Sequence, residues 1–199
     1  MNKKQKELEL ELLNACLRND PLAYEKFYDY FAPKMFAICL RYASGYHMAE
    51  DHLQEGFIKV FRNLKKYRGD GSFEGWVRRI FVNTAIEQYR KANSSYRFLE
   101  LENIINKPTN ENIISQLSAN DLLNLVQKLP DGYRLVFNLY CIEGYSHKEI
   151  AEKLKVKIGT SKSQLARARI YIQKLLEDQI ENEESNIRRI RPAIPGLST

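Results

Sequence analysis

Apolar residues in this chain recur at three- and four-residue spacing almost throughout, and no stretch shows the strict alternation of a half-buried strand. Leu53, Phe57, Val60, Phe61 and Leu64 lay one stripe along a segment from about Met48 to Leu64. Val77, Ile80, Phe81 and Thr84 lay another from Trp76 to about Lys91, with Arg79, Asn83, Glu87 and Arg90 pointing away. This periodicity predicts an all-α protein.

Turn and cap residues divide the pattern. A first helix from about Glu7 to Arg18 stops at Asn19-Asp20-Pro21. A second carries Tyr24, Phe27, Tyr28 and Phe31 as core residues, and Pro33 is placed to open a third, where its missing N–H costs nothing. Met35, Ile38, Cys39 and Tyr42 form the buried stripe of that third helix, which ends at Ser44-Gly45. Lys65 to Gly75 reads as a polar loop.

From Asn93 to Ser118 the periodicity fades into Asn, Ser, Pro108 and Thr109, the composition of a linker. It resumes at Ser118-Ala-Asn-Asp121 with a helix to Leu129-Pro130, then a helix from Asp131 to Ile142 with Leu135, Val136, Leu139 and Tyr140 inward. The predicted layout is two small helical domains joined by a flexible linker: 1–93, a linker 94–117, 118–178, and a mobile tail 179–199 ending in Pro192, Pro195 and Gly196.

Ser146-His147-Lys148-Glu149 is a capping box, in which hydroxyl and carboxylate each satisfy a backbone N–H at a helix start. The short helix it opens, Ser146 to Leu154, puts Ile150, Ala151 and Leu154 inward. A turn, Lys155 to Ile158, leads to a long basic helix at Gly159-Thr160. Two helices across a tight turn, with a small Ala151 where they approach, describe a helix-turn-helix. Leu165, Ala168 and Ile172 are spaced to pack inward, leaving Lys162, Ser163, Ala166 and Arg167 for a major groove and Thr160, Gln164, Arg169 and Lys174 for phosphates. A plain helical hairpin with a solvated basic face shares this pattern.

Charge agrees with a polyanionic partner: 31 Lys and Arg stand against 25 Asp and Glu, a net charge of +6. No apolar run approaches the roughly 18 residues of a membrane span, and the N-terminus lacks the apolar core of a signal peptide. Cys16, Cys39 and Cys141 have neither disulfide-framework nor zinc-site spacing, so a reducing cytoplasm is expected. His47, Asp51, His52 and Glu55 share adjacent helical turns, but His52 is rotated away and no second carboxylate cluster accompanies them. No catalytic residue, metal or cofactor is expected.

Two strings together resemble a known family, the extracytoplasmic-function sigma factors. One comprises Leu129-Pro130, Arg134-Leu-Val-Phe137, Glu143-Gly144-Tyr-Ser146, Glu149-Ile-Ala151, Gly159-Thr160, Lys162-Ser163 and Arg167-Ala168-Arg169. It resembles region 4, the upstream minus-thirty-five reader, which implies Thr160, Lys162, Ser163, Gln164, Ala166, Arg167 and Arg169 at the DNA. The other, Ala49-Glu50-Asp51-His-Leu53-Gln54-Glu55-Gly-Phe57 with Phe73, Trp76, Ile80, Asn83 and Arg90, resembles region 2.

That second likeness implies that Asp51, Leu53, Gln54, Glu55 and Phe57 bind the clamp coiled coil of core RNA polymerase. It also implies minus-ten contacts by Lys65, Lys66, Tyr67, Arg68, Phe73, Arg78, Arg79, Asn83 and Arg90, with Tyr67 and Phe73 as stacking surfaces and one base flipped from the strand. Trp76 is assigned to the core. An anti-sigma factor is the further partner the resemblance implies. Ser161 and Gln164 depart from the branched apolar residue and the Arg common there, and the absence of that Arg is expected to weaken a phosphate contact or alter promoter preference. Gly56 replaces a larger residue at a cost of up to about 1 kcal/mol of helix propensity.

Two other classes remain. A transcriptional regulator of another type would share the C-terminal motif but bind duplex without polymerase, and a nuclease built on His47–Glu55 would require added metal.

Overall fold

A computed structural model describes residues 3–92 and 119–190, all helix and turn; the expected linker, 94–117, and the end of the tail, 191–199, lie outside the described residues. The N-terminal part comprises α1 (Lys3–Leu17), α2 (Pro21–Tyr42), α3 (Tyr46–Asn63), a 3₁₀ turn at Leu64–Lys66 and α4 (Phe73–Ala92). The C-terminal part comprises α5 (Ala119–Gln127), α6 (Asp131–Phe137) running into a π-helical turn at Asn138–Ile142, α7 (His147–Leu154) and α8 (Ile158–Ile190).

The Asn19-Asp20-Pro21 signal resolves into three separate jobs. Asn19 adopts the left-handed conformation that ends α1 (φ 61°). Asp20 caps α2 by accepting from the Leu22 N–H at 3.0 Å, and Pro21 takes the first helical position. The helix expected to begin at Pro33 does not start there: α2 runs through it to Tyr42. Pro33 and Asp29 are both exposed, so the carbonyl that loses its partner turns to water and the helix continues.

α2 packs on α1, α3 and α4 around an aromatic centre. Phe27 is fully buried, with the rings of Phe31, Phe61, Phe73 and Phe57 at centroid separations of 4.6, 5.4, 5.8 and 6.5 Å. Tyr28, expected in this core, is 39% exposed because it lies on the flank of the Phe27/Phe31 stripe. At Gly56 the backbone of α3 meets α4, and a Cβ there would stand 2.2 Å from Cε1 of Phe81. The glycine read as a loss of propensity is therefore what lets the two helices approach.

In the C-terminal part α6 and α7 pack on α8, which buries Leu165, Ala168 and Ile172 against Ile150, Ala151 and Leu154. The helix expected to give way to a mobile tail at 179 continues to Ile190. The two parts touch: α5 and α6 pack on the end of α2, and α7 reaches α4.

Candidate nucleic-acid interface

Both halves of the capping box form around α7. The Glu149 N–H donates to Ser146 Oγ at 3.3 Å, and the Ser146 N–H donates to Glu149 Oε2 at 2.8 Å. The Ser146 hydroxyl also donates to Glu149 Oε2 at 2.7 Å, and that bond, with the one from the Ser146 N–H, holds the Glu149 carboxyl below the usual carboxylate range. Ser146→Ala is expected to destabilise the C-terminal domain by about 1 kcal/mol in urea unfolding followed by circular dichroism.

α7 ends on Lys155, in the left-handed conformation usually given to glycine (φ 57°), and the Val156 N–H returns to the Ala151 carbonyl at 3.0 Å. This fixes the tight turn into α8. On α8, Lys162 and Ser163 are exposed, Thr160, Ala166, Arg167 and Arg169 are half-buried, and the Ser163 hydroxyl donates to the Thr160 carbonyl at 3.0 Å. Gln164 is buried, its amide 3.4 Å from where a Cβ on Gly132 would stand. It cannot serve the phosphate role expected of it. Its place three residues after Ser161 and four before Ala168 is the signal that put it on the inner stripe.

Ser161 is also fully buried, and its hydroxyl shares a 2.9 Å hydrogen bond with His147 Nδ1, tying the start of α7 to the start of α8. The His147 ring stacks on Tyr140 at 4.5 Å. Burial, then the charges of Lys162 and Arg169, push the His147 pKa below the ordinary imidazole value. His52 is lowered as well, by burial and Arg134 with Asp51 opposing. Folding thus disfavours the charged form of both histidines, whereas the unfolded chain takes up protons near pH ~6.5. Stability is therefore expected to fall as pH drops from about 6.5 through the lower folded values. Thermal melts at successive pH values check this, and His147→Gln is expected to flatten the slope.

The 64–92 segment supplies a second basic surface. Lys65, Lys66, Arg68 and Arg79 are exposed, while Arg78, Asn83 and Arg90 are half-buried. Gly69 and Gly71, both left-handed (φ 83° and 89°), turn the loop, and the Tyr67 hydroxyl donates to the Gly71 carbonyl at 2.9 Å. Phe73 is 3% exposed and packs on Phe27 and Phe31, so it presents no face to a base. The outer face belongs instead to Trp76, half-buried and stacked on Phe73 at 5.7 Å, with the Tyr67 ring 5.7 Å away. α4 begins at Phe73, not at Trp76, which puts Phe73 on the buried stripe with Val77 and Phe81 and leaves Trp76 at the edge of that stripe. Trp76, expected in the core, is half-buried and packs against it.

On α3, Asp51 and Gln54 are exposed and Glu55 is half-buried, pairing with Lys59 at 3.5 Å. Leu53 and Phe57 are buried at 8% and 3% exposure, so they support this face from beneath. Beside it lies an open groove of about 450 Å³ walled by Tyr28, Asp29, Phe36, Tyr46, Glu50 and Gln54. Sequence reasoning missed this groove, because its walls come from two helices and only Glu50, Leu53 and Gln54 lie in the Ala49–Phe57 motif.

His47 is exposed and pairs with Glu50 at 3.3 Å, whereas His52 is buried, so the four residues from His47 to Glu55 do not converge. Among the described residues no group of three His, Cys, Asp or Glu could hold a metal ion. Cys39 is buried, which pushes its thiol pKa up to about 12. No helix of the described residues is long and apolar enough to cross a membrane.

A helix-turn-helix with an exposed basic edge and a separate aromatic, basic loop together define a DNA-binding transcription protein. Residues 27–95 match sigma-70 region 2, and residues 119–172 match sigma-70 region 4. The chain is 31% identical to the ECF RNA polymerase sigma factor SigW of Bacillus subtilis over 81% of its own length and 92% of that protein's. It is 30% identical to the ECF RNA polymerase sigma-E factor of Escherichia coli, over 79% and 88%. It is also similar to the Bartonella quintana sigma factor RpoE in its co-crystal with the anti-sigma factor NepR: 22% identity, TM-score 0.46, covering 77% and 96%.

The chain belongs to the ECF RNA polymerase sigma factors, and its function is promoter recognition and the initiation of transcription.

Proposed function

We propose a division of that work between the two parts of the chain, 1–93 and 118–178. The exposed edge of α8, Lys162, Ser163, Ala166 and Arg167 with Thr160 and Arg169 beside it, reads the minus-thirty-five duplex, and buried Gln164 is not a contact. The observation that carries this is the completed capping box and left-handed Lys155 turn, which hold α7 and α8 in helix-turn-helix geometry with a basic edge outward.

The loop with Lys65, Lys66, Tyr67 and Arg68, followed by Trp76, Arg78, Arg79, Asn83 and Arg90, takes the minus-ten element as a melted strand. Tyr67 and Trp76 supply the stacking faces in place of Phe73. Asp51, Gln54 and Glu55 dock on core polymerase, the adjoining groove extending that face with Tyr28 and Tyr46. The protein carries no reaction of its own: strand opening needs unstacking energy from binding, not covalent chemistry. It works in the bacterial cytoplasm, where an anti-sigma factor covers the polymerase- and DNA-binding faces.

Run-off transcription with bacterial core polymerase and fragments of the host genome tests this. Discrete transcripts are expected only with both components, and are expected to fall at least about tenfold in Lys162→Ala/Arg167→Ala, in line with losing one bidentate base contact. Binding of duplex fragments without polymerase, and no transcripts with it, would overturn the assignment in favour of a conventional regulator.

A further inference from the structure

Ser161 stands where a branched apolar residue is common, and the fold gives its hydroxyl a partner. The side chain is fully buried near the start of α8, and its Oγ lies 2.9 Å from Nδ1 of His147, the first residue of α7. The imidazole also lies nearly parallel to the Tyr140 ring, with 4.5 Å between centroids and 23° between planes. Bonded at Nδ1 and stacked on one face, the ring is fixed in place, and Nε2 is the polar atom left over.

The charges around this ring place it on the DNA side of the domain. Lys162 and Arg169 act on it from α8, and both belong to the edge assigned to the upstream duplex. Tyr140 meets it from the π-helical turn, while Glu149 of α7 itself is held by Ser146. No carboxylate among the described residues acts on it. In the free chain, burial and the two cations disfavour the charged ring. Phosphates at the same edge reverse that balance, since they offset both cations and attract a third.

An anchored imidazole can change its charge only if the anchor tolerates it. A hydroxyl both donates and accepts, so Ser161 can answer Nδ1 with or without a proton there. Once Nδ1 donates, the hydroxyl proton has the Lys157 carbonyl one turn back, which already accepts from the Ser161 N–H at 3.2 Å. A branched apolar side chain could do neither. The Tyr140 face favours the cation as well.

We propose that His147 takes up a proton from solvent as the C-terminal domain closes on the upstream promoter duplex, and that its Nε2–H then pairs with a backbone phosphate while Ser161 holds the ring. This rests on the reading of the α8 edge as the minus-thirty-five contact. A phosphate contact adds affinity without adding sequence preference. Promoter binding thereby gains a pH dependence that Lys162 and Arg167, charged throughout this range, do not give it.

The test uses the holoenzyme of the full chain with bacterial core polymerase, on a promoter fragment recovered by run-off transcription. Binding is measured over a range of salt at about pH 6 and about pH 8, on either side of the ordinary imidazole value of about 6.5. One added phosphate contact steepens the fall of log K with log salt by about 0.9. The parent is expected to show that steeper slope at the lower pH only. His147→Gln, which keeps a hydrogen-bonding group and cannot charge, is expected to give one slope at both. Ser161→Val, and a fragment cut short of the upstream element, are expected to lose the difference too.

An equal slope at both pH values in the parent, or a steepening that survives in His147→Gln, would overturn the proposal. A full difference in Ser161→Val would overturn the part given to the hydroxyl. The reading of α8 is tested apart from both: Lys162→Ala/Arg167→Ala is expected to lose affinity at each pH, and if it does not, that reading fails whatever His147 does.

Discussion

Gly56→Ala is expected to destabilise the N-terminal domain by about 2 kcal/mol, lowering its melting midpoint by roughly 10 °C. On an exposed helix the same change would stabilise by about 1 kcal/mol, since alanine is the better helix former. Here the added methyl meets the Phe81 ring, with Cε1, Cδ1 and Cζ at 2.2, 2.5 and 2.7 Å. Phe81 is 3% exposed and sits edge-on to Phe57 at 5.3 Å, so its ring has nowhere to go. Either α3 and α4 separate or Phe81 leaves its rotamer. The sign of the effect therefore separates a close helix approach from a mere lapse in propensity. Thermal unfolding followed by the fluorescence of Trp76, the one tryptophan in the chain, measures it. Phe81→Leu in the same molecule is expected to recover part of the loss, so the double variant should exceed the sum of the two single ones in stability.

Asn138→Asp changes one atom and is expected to cost about 3 kcal/mol at neutral pH. Asn138 is 1% exposed, and its amide donates both to the Arg41 carbonyl at 2.7 Å and to the Arg134 carbonyl at 2.9 Å. A carboxylate there would aim a lone pair at two carbonyl oxygens in a dry site. The introduced acid is expected to escape by holding its proton, which raises its folded pKa above the ordinary value of about 3.9. The deficit relative to the parent chain is then small below that value and grows as pH rises through it. Urea unfolding of both chains at matched pH checks sign and window. Asn138→Ala, which only removes the donor, is expected to cost about 1–2 kcal/mol without the pH dependence.

How far the sequence could be read depended on whether a feature is local. The Asn19-Asp20-Pro21 boundary, the Ser146–Glu149 box and the Leu165/Ala168/Ile172 stripe are each settled within a few residues, and each appears in the structure as expected. Pro33 misled because a proline starts or interrupts a helix by the same local rule, and only solvent at the facing turn decides between them. Phe73 was read as part of the loop, whereas α4 begins with it, so it joins the buried stripe of Val77 and Phe81, and Trp76 packs beside it at the edge of the core. Gln164 was assigned by its chemistry, whereas its spacing gave the better guide.

The contact between the two parts was illegible for another reason: Gln127 and Asn138 meet carbonyls 87 and 97 residues away, and an amide side chain carries no sign of so distant a partner. The groove beside α3 was hidden in the same way, since Tyr28 and Tyr46 sit on different helices. Periodicity shows which side of a helix faces in. It does not show what two outward sides enclose together.

The continuity of α8 has a mechanical meaning. Its 33 residues make a rod of about 50 Å. Among the described side chains, packing against the domain reaches as far as Leu175 and Leu176, and Glu177 to Asn182 are exposed. The exposed stretch from Glu177 to Asn182 is thus a stiff handle fixed to the same backbone that carries Lys162 nearer its start. Anything that grips or tilts the handle turns the reading edge in the groove without touching DNA.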